Sequence, residues 1–173
     1  MNNRNFILLI IISVLTHIVR AVYEVLKHKK IIGASKLSFT FIFTNMALLW
    51  ISWFLLCSAD VYKINLPAIV RYIGIAITIT GAGLFFTALF TIKTLETYSG
   101  DLITNGIYSK VRHPMYLGFI CWLLGGPLFF NGAISFALAV LFIANVLFWR
   151  YLEELELEKR FTGYKEYKII TLF

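Results

Sequence analysis

The chain has 173 residues, of which 60% are hydrophobic and 14% are charged. Soluble domains are about 45–50% apolar and about 25% charged, so this composition excludes an ordinary soluble domain and indicates a membrane protein. The net charge of +7 does not predict nucleic-acid binding. The cations lie in short loops between apolar segments, where they set topology and contact anionic lipid headgroups.

Five apolar segments predict transmembrane helices, because about 20 mainly apolar residues cross a bilayer. They cover residues 5–26, 37–59, 66–92, 114–130 and 133–152. No small-residue cleavage site follows the first segment, so we expect a retained helix rather than a signal peptide. The predicted fold is all-α, a polytopic membrane helical bundle of about five transmembrane helices plus a short cytosolic C-terminal helix. We expect a single membrane domain, with three helices in residues 1–92 and a loop, a helical hairpin and the C-terminal helix in residues 93–173.

Lysine and arginine are concentrated on one side of the predicted bundle, and such a bias marks the cytoplasmic side. The opposite side carries only Arg4 and Lys63. The N-terminus is therefore expected outside and the C-terminus in the cytoplasm. The short chain and the lack of targeting signals favour a prokaryotic inner membrane. The residues on the basic side are Lys27, Lys29, Lys30, Lys36, Lys93, Lys110, Arg112, Arg150, Lys159, Arg160, Lys165 and Lys168.

The two cysteines, Cys57 and Cys121, fall inside apolar segments and are predicted to be reduced core residues. No zinc-type spacing of cysteine and histidine occurs in the sequence, and the three histidines are scattered. We expect no metal site.

Polar residues are concentrated at two points that the last hairpin should bring together. Arg112-His113-Pro114 precedes the fourth apolar segment, and Glu153-Glu154 ends the fifth. Pro114 suits the first turn of a helix, and a helix N-terminus favours an anion. A carboxylate at an apolar boundary is costly without a partner, and a cationic ligand would be one. The alternative is that these are interfacial side chains and a solvated helix end.

Four polar residues inside the predicted spans, His17, Arg20, Asn45 and Asn145, have two open interpretations. Each can line a substrate cavity, and each can equally form an interhelical hydrogen bond. Gly74, Gly81 and Gly83 give the third span a small-residue face, for which helix packing is the favoured explanation.

The order and spacing of the C-terminal motifs resemble a known family. These motifs are Asn105-Gly106-Ile107-Tyr108, then Arg112 to Gly118, then Glu153-Glu154, and a tail from Phe161 to Tyr167. Together they are similar to the isoprenylcysteine carboxyl methyltransferase and phospholipid methyltransferase superfamily, which are integral membrane enzymes that use S-adenosylmethionine. The resemblance covers roughly residues 93–167.

The resemblance implies methyl transfer from S-adenosylmethionine to a lipophilic, membrane-dissolved acceptor whose reacting group is a carboxylate, a thiol or an amine. Arg150 is the residue that would contact the acceptor. Oligomeric state is left open. The residues implied in cofactor binding are Gly100, Asp101, Leu102, Ile103, Tyr108, Arg112, His113, Pro114, Met115, Tyr116, Glu153 and Glu154.

Two other functions remain open from the sequence. One is an NADPH-dependent membrane reductase of the sterol-reductase type, which shares a related C-terminal architecture. The other is a non-catalytic membrane subunit or small carrier, which would bind no nucleotide-type ligand and would leave the glutamate pair unexplained.

Overall fold

The computed structural model describes residues 3–33, 35–92 and 101–173, and over these ranges the chain is helical, with no β-strand. A short 3₁₀ helix at Gly106–Ser109 lies in the connection before α4. The helices are α1 (Asn3–His28), α2 (Lys36–Ala59), α3 (Ala68–Ile92), α4 (Pro114–Phe130), α5 (Ala133–Arg160) and α6 (Tyr164–Ile170).

Four helices, α1, α2, α3 and α5, are long and apolar enough to cross a membrane. The fourth predicted span is α4, which has 17 residues and rises about 25 Å at 1.5 Å per residue. The prediction of an all-α membrane bundle is confirmed, and the protein is a multi-pass integral membrane protein. The short C-terminal helix is α6.

Local sequence explains where several helices begin. Ser35 and Ser38 form a capping box at the start of α2, in which each side chain accepts a hydrogen bond from the other residue's backbone N–H at 3.1 Å. Pro114 occupies the first turn of α4, where its missing N–H costs nothing. The start of α5 is capped by a residue that lies far away in the sequence. Asp60 Oδ2 accepts hydrogen bonds from Ser135 N at 2.7 Å and from Ser135 Oγ at 2.9 Å.

The backbones of α3 and α4 meet directly, because glycines lie at their contact. A Cβ atom at Gly81 would lie 2.7 Å from the carbonyl oxygen of Gly118, and one at Gly74 would lie 2.9 Å from that of Gly125. Small residues permit such close approach between membrane helices. The predicted role of the small-residue face in helix packing is confirmed for Gly74 and Gly81. Gly83 differs, since nothing lies within 4 Å of a Cβ built there.

The interior polar residues mostly join α1 to its neighbours. Asn45 Nδ2 donates to the carbonyl oxygen of Thr16 at 3.1 Å, and Asn145 Nδ2 donates to that of His17 at 3.1 Å. The His17 ring stacks on Phe142, with 3.7 Å between ring centroids. The interpretation as an interhelical hydrogen bond is therefore confirmed for Asn45 and Asn145. The His17 side chain instead bonds within α1, with Nδ1 2.9 Å from the carbonyl oxygen of Ser13, and contacts α5 only by stacking. Both cysteines are free; Cys57 is buried and Cys121 is half-buried.

Alanine substitution at Gly81 tests the close packing of α3 on α4. We expect Gly81→Ala to lower the stability of the detergent-solubilised protein by about 1–3 kcal/mol, because the added methyl forces the two backbones apart. Gly83→Ala is the matched control on the same helix, where the methyl enters open space and helix propensity favours alanine. Thermal unfolding of both variants measures the effect, and equal melting temperatures would contradict the packing argument.

Candidate active site

The α4–α5 hairpin brings the N-terminus of α4 onto the end of the apolar part of α5. His113 is the N-cap residue of α4. Its Nε2 lies 3.4 Å from Glu154 Oε1, and its Nδ1 lies 3.8 Å from Glu153 Oε2. The predicted meeting of the Arg-His-Pro corner with the glutamate pair is confirmed.

The two adjacent glutamates face different surroundings. The Glu154 side chain is 8% exposed, whereas the Glu153 side chain is 43% exposed. Glu154 Oε2 accepts from Lys168 Nζ at 2.8 Å, and Oε1 lies 3.5 Å from Arg112 Nε and 3.9 Å from Arg150 Nε. A buried carboxylate is unfavourable without such partners. Glu154 therefore has a structural role. It is not among the residues that line the cavity described below.

The C-terminal segment is held over Glu154 by hydrogen bonds of Arg112 and Tyr167, and we call this set of contacts the clamp. Arg112 Nη1 donates to the carbonyl oxygens of Lys168 at 2.7 Å and Thr171 at 2.6 Å. Tyr167 Oη donates to the carbonyl oxygen of Tyr108 at 2.6 Å. Hydrogen bonds to Glu154 and then Glu158 raise the pKa of Lys168, so this amine is charged at neutral pH. The guanidinium of Arg112 is thus largely committed to holding the tail.

Beside the clamp lies a cavity of about 380 Å³, which is within the usual size range of small-molecule sites. Three predicted site residues, Pro114, Arg150 and Glu154, are not among its lining residues, and Gly100 lies outside the residues that the structure describes. The predicted residues that line it are Asp101, Leu102, Ile103, Tyr108, Arg112, His113, Met115, Tyr116 and Glu153.

Pro114 and Arg150 lie outside the cavity lining. Pro114 is fully buried in the first turn of α4. The guanidinium of Arg150 lies over the ring of Phe173, with 4.4 Å from Cζ to the ring centroid. The role of Arg150 in acceptor binding stays a prediction.

Glu153 supplies a carboxylate surrounded by aromatic rings at one end of the cavity. Burial, followed by the nearby charge of Glu153, raises the pKa of Tyr108. Burial, followed by the charges of Glu154 and Glu153, likewise raises the pKa of Tyr164, whose Oη lies 3.3 Å from His113 Nε2. Tyr116 also interacts electrostatically with the Glu153 carboxylate. Protonated tyrosines around an accessible carboxylate suit a cation, through charge and through ring faces.

One face of α2 forms an apolar wall of the same cavity. Its residues recur at helical spacing and span about 16 Å of helix from the first to the last. Sequence reasoning did not find this wall, because α2 is apolar on almost every side and its periodicity does not single out one face. The wall residues are Phe39, Ile42, Phe43, Met46, Ala47 and Trp50.

A buried ion pair on α1 also lines the cavity. Arg20 is 8% exposed and Glu24 is 5% exposed, and Arg20 Nη2 pairs with Glu24 Oε1. The Arg20 guanidinium lies 5.5 Å from the Trp149 ring centroid and 5.6 Å from that of Tyr23. Sequence reasoning noted Arg20 but passed over Glu24. The i,i+4 spacing of opposite charges inside an apolar segment was the available signal.

Comparison with known proteins assigns the family. The sequence model of the phospholipid methyltransferase family matches residues 69–163, more than half of the chain. No solved structure matches significantly.

The three curated proteins described next are all named as protein-S-isoprenylcysteine O-methyltransferases. Protein-S-isoprenylcysteine O-methyltransferase B of Arabidopsis thaliana is 37% identical over 73 residues, which are 42% of this chain and 34% of that protein. Protein-S-isoprenylcysteine O-methyltransferase A of the same organism is 37% identical over 70 residues, which are 40% of this chain and 32% of that protein. The Schizosaccharomyces pombe protein-S-isoprenylcysteine O-methyltransferase is 36% identical over 53 residues, 31% of this chain and 20% of that protein. The matched segments thus span about a third or less of these relatives.

The segment that the family model matches contains Arg112 and His113, the loop from Asp101, and both glutamates. Helices α1, α2 and α6 lie outside it. The predicted superfamily is confirmed: the chain belongs to the phospholipid methyltransferase family.

Proposed function

We propose that the protein is a membrane methyltransferase that moves a methyl group from S-adenosylmethionine to a lipophilic acceptor. One observation carries the proposal: a single cavity joins a carboxylate surrounded by tyrosines, around Glu153, to the apolar wall of α2. A cationic polar donor and an apolar acceptor need those two environments side by side. The family assignment and the names of the relatives support the same reaction.

The described residues fit the proposed donor. S-adenosylmethionine supplies a methyl group on a sulfonium cation and carries an amino group, a carboxylate and ribose hydroxyls. Glu153 would accept hydrogen bonds from its amino group or hydroxyls. Ring faces of Tyr108 and Tyr116 would attract its cation, at about 0.5–2 kcal/mol for each such contact. His113, at the N-terminus of α4, lies where a carboxylate is favoured.

The chain contributes to the reaction chiefly by positioning and by excluding water. In methyl transfer, a lone pair of the acceptor forms a bond to the methyl carbon while the carbon–sulfur bond breaks and its electron pair stays on sulfur. Two reactants held in line gain much of the rate through orientation alone. The aromatic walls, with Trp50, Phe85 and Phe119 among the lining residues, would keep water out. A carboxylate or thiolate acceptor needs no general base.

Ligand stabilisation separates this proposal from the two alternatives. A ligand that binds the folded protein raises its melting temperature. The proposal expects S-adenosylhomocysteine to stabilise the purified protein and NADPH to leave it unchanged. Stabilisation by NADPH alone would favour the reductase, and no stabilisation by either would favour a non-catalytic subunit.

Substitution of Glu153 tests the donor end. We expect Glu153→Gln to weaken S-adenosylhomocysteine binding by about tenfold or more, because a hydrogen bond to a charged group contributes about 1.5–3 kcal/mol. Calorimetric titration measures the affinity. Glu166→Gln is the control, since Glu166 is an exposed carboxylate on α6. Unchanged affinity in Glu153→Gln would refute the assignment.

Substitution of Glu154 should act on stability instead. We expect Glu154→Gln to lower the stability of the ligand-free protein by about 3 kcal/mol, because it leaves the buried Arg112 without its anion. Glu153→Gln should leave the melting temperature of the ligand-free protein nearly unchanged. Thermal unfolding of the two variants, side by side, measures this difference. Equal melting temperatures would show that the two carboxylates do not divide their roles in this way.

We propose that the N-terminus lies outside and the C-terminus in the cytoplasm, and cysteine labelling tests this. Gly33→Cys lies in the exposed α1–α2 connection, and Tyr62→Cys lies in the exposed α2–α3 connection. A membrane-impermeant maleimide should label Tyr62→Cys in intact cells and Gly33→Cys only after permeabilisation. The parent protein, with Cys57 and Cys121 alone, gives the background. The reverse pattern would contradict the proposed topology.

A further inference from the structure

The ion pair of Arg20 and Glu24 has no role in the donor end described above. It lies on α1, outside the segment that the family model matches. Both side chains are buried, and both line the cavity. Burying two charges in a membrane bundle is costly, and such residues usually mark a site of function.

The pair lies next to the reaction centre proposed above. Helix α1 packs beside α5, where Arg20 contacts Trp149. Glu153 is one helical turn further along α5, which is about 6 Å at 1.5 Å per residue. Tyr116 interacts electrostatically with Glu153 and also with Glu24 and Arg20. Tyr116 therefore lies close to both the donor end and the ion pair.

The guanidinium of Arg20 is not satisfied by the protein alone. It carries five N–H donors, of which the ion pair with Glu24 engages Nη2. Its Nε is buried and has no hydrogen-bond partner among the described residues. Rings of Trp149 and Tyr23 flank it and supply no acceptor oxygen in those contacts.

The other arginines near the cavity are placed for different tasks. Arg112 also lines the cavity and its buried Nε also lacks a hydrogen-bond partner, but that Nε faces Glu154 Oε1 at 3.5 Å while Nη1 holds the C-terminal tail. Arg160 stacks on Phe161, with 4.8 Å from Cζ to the ring centroid. Arg150 lies over Phe173 and does not line the cavity. Arg20 is thus the arginine that lines the cavity from α1 and is bound to no tail segment.

We propose that Arg20 binds the anionic head group, a carboxylate or a phosphate, of the lipophilic acceptor, and that Glu24 tunes its affinity. The apolar part of the acceptor then lies along the α2 wall from Phe39 to Trp50. Glu24 balances the buried cation when no anion is bound and competes with the anion for the guanidinium. This inference rests on the proposed function for its choice of ligand.

Binding of matched probes to the protein in lipid nanodiscs tests the inference. The probes are N-acetyl-S-farnesylcysteine, its neutral carboxamide and farnesyl phosphate, so that carboxylate, amide and phosphate are compared on one apolar chain. We expect Arg20→Gln to weaken binding of whichever anion the wild type prefers by at least about tenfold, as for loss of a charged hydrogen bond. Carboxamide binding should change less than about twofold. Arg71→Gln is the control, since Arg71 bonds to the Phe129 carbonyl on α4 and does not line the cavity.

Two further variants separate binding from folding. Glu24→Gln should tighten binding of the preferred anion, because it removes the competing carboxylate, whereas a purely structural pair predicts weaker binding of every probe. Arg20→Gln/Glu24→Gln replaces the pair by two neutral side chains that can hydrogen-bond to each other, and should abolish the preference for the anion even if Arg20→Gln alone is unstable.

The proposal is overturned if the wild type shows no preference for either anion over the carboxamide. It is equally overturned if Arg20→Gln weakens all three probes alike. The preferred anion identifies the head group. S-adenosylhomocysteine titration on the same samples keeps the two proposals apart: an Arg20-dependent anion site in a protein that binds no S-adenosylhomocysteine supports this inference and overturns methyl transfer.

Discussion

The buried carboxylate of Glu154 is the interaction on which the site depends. A carboxylate that is 8% exposed persists only because cationic groups from three parts of the chain converge on it: the corner before α4, α5 itself and α6. Removing the carboxylate would leave these cations without their shared partner, which is why Glu154 holds the three segments together. Successive residues of a helix point about 100° apart. Once Glu154 faces the clamp, Glu153 is turned towards the cavity.

The position of the clamp depends in turn on glycine. Helices α3 and α4 are in backbone contact at Gly74, Gly81, Gly118 and Gly125, which fixes the direction in which α4 enters the bundle. His113 sits at the N-terminus of that helix. A displacement of α4 would therefore move the His113 ring away from both glutamates, although none of these four glycines lines the cavity. Packing far from the site sets its geometry.

The sequence allowed the spans and the meeting of His113 with the glutamate pair to be predicted. Both follow from local features of the chain, namely the hydropathy of each segment and the length of the hairpin. It did not distinguish Glu153 from Glu154, since adjacent identical residues differ only in the direction their side chains take. It also missed the wall on α2. A helix that is apolar on all sides carries no periodic signal, and only its packing reveals which side borders a cavity. Arg112 was expected to bind the cofactor, yet its Nη1 binds backbone carbonyls of the tail, and no sequence motif indicates such a partner.

On the proposed function, the two ends of the cavity have different origins in the chain. The donor end comes from the loop at Asp101, the start of α4 and the end of α5, all within residues 69–163. The opposite end comes from α1 and α2, which the family match does not include. A shared donor needs one constant set of groups, whereas acceptors differ in head group and apolar shape. On these two proposals, the choice of acceptor depends on the two helices outside the match. Arg20 is the buried cation there that would select a head group, whereas Lys27, which also lines the cavity, is only partly buried.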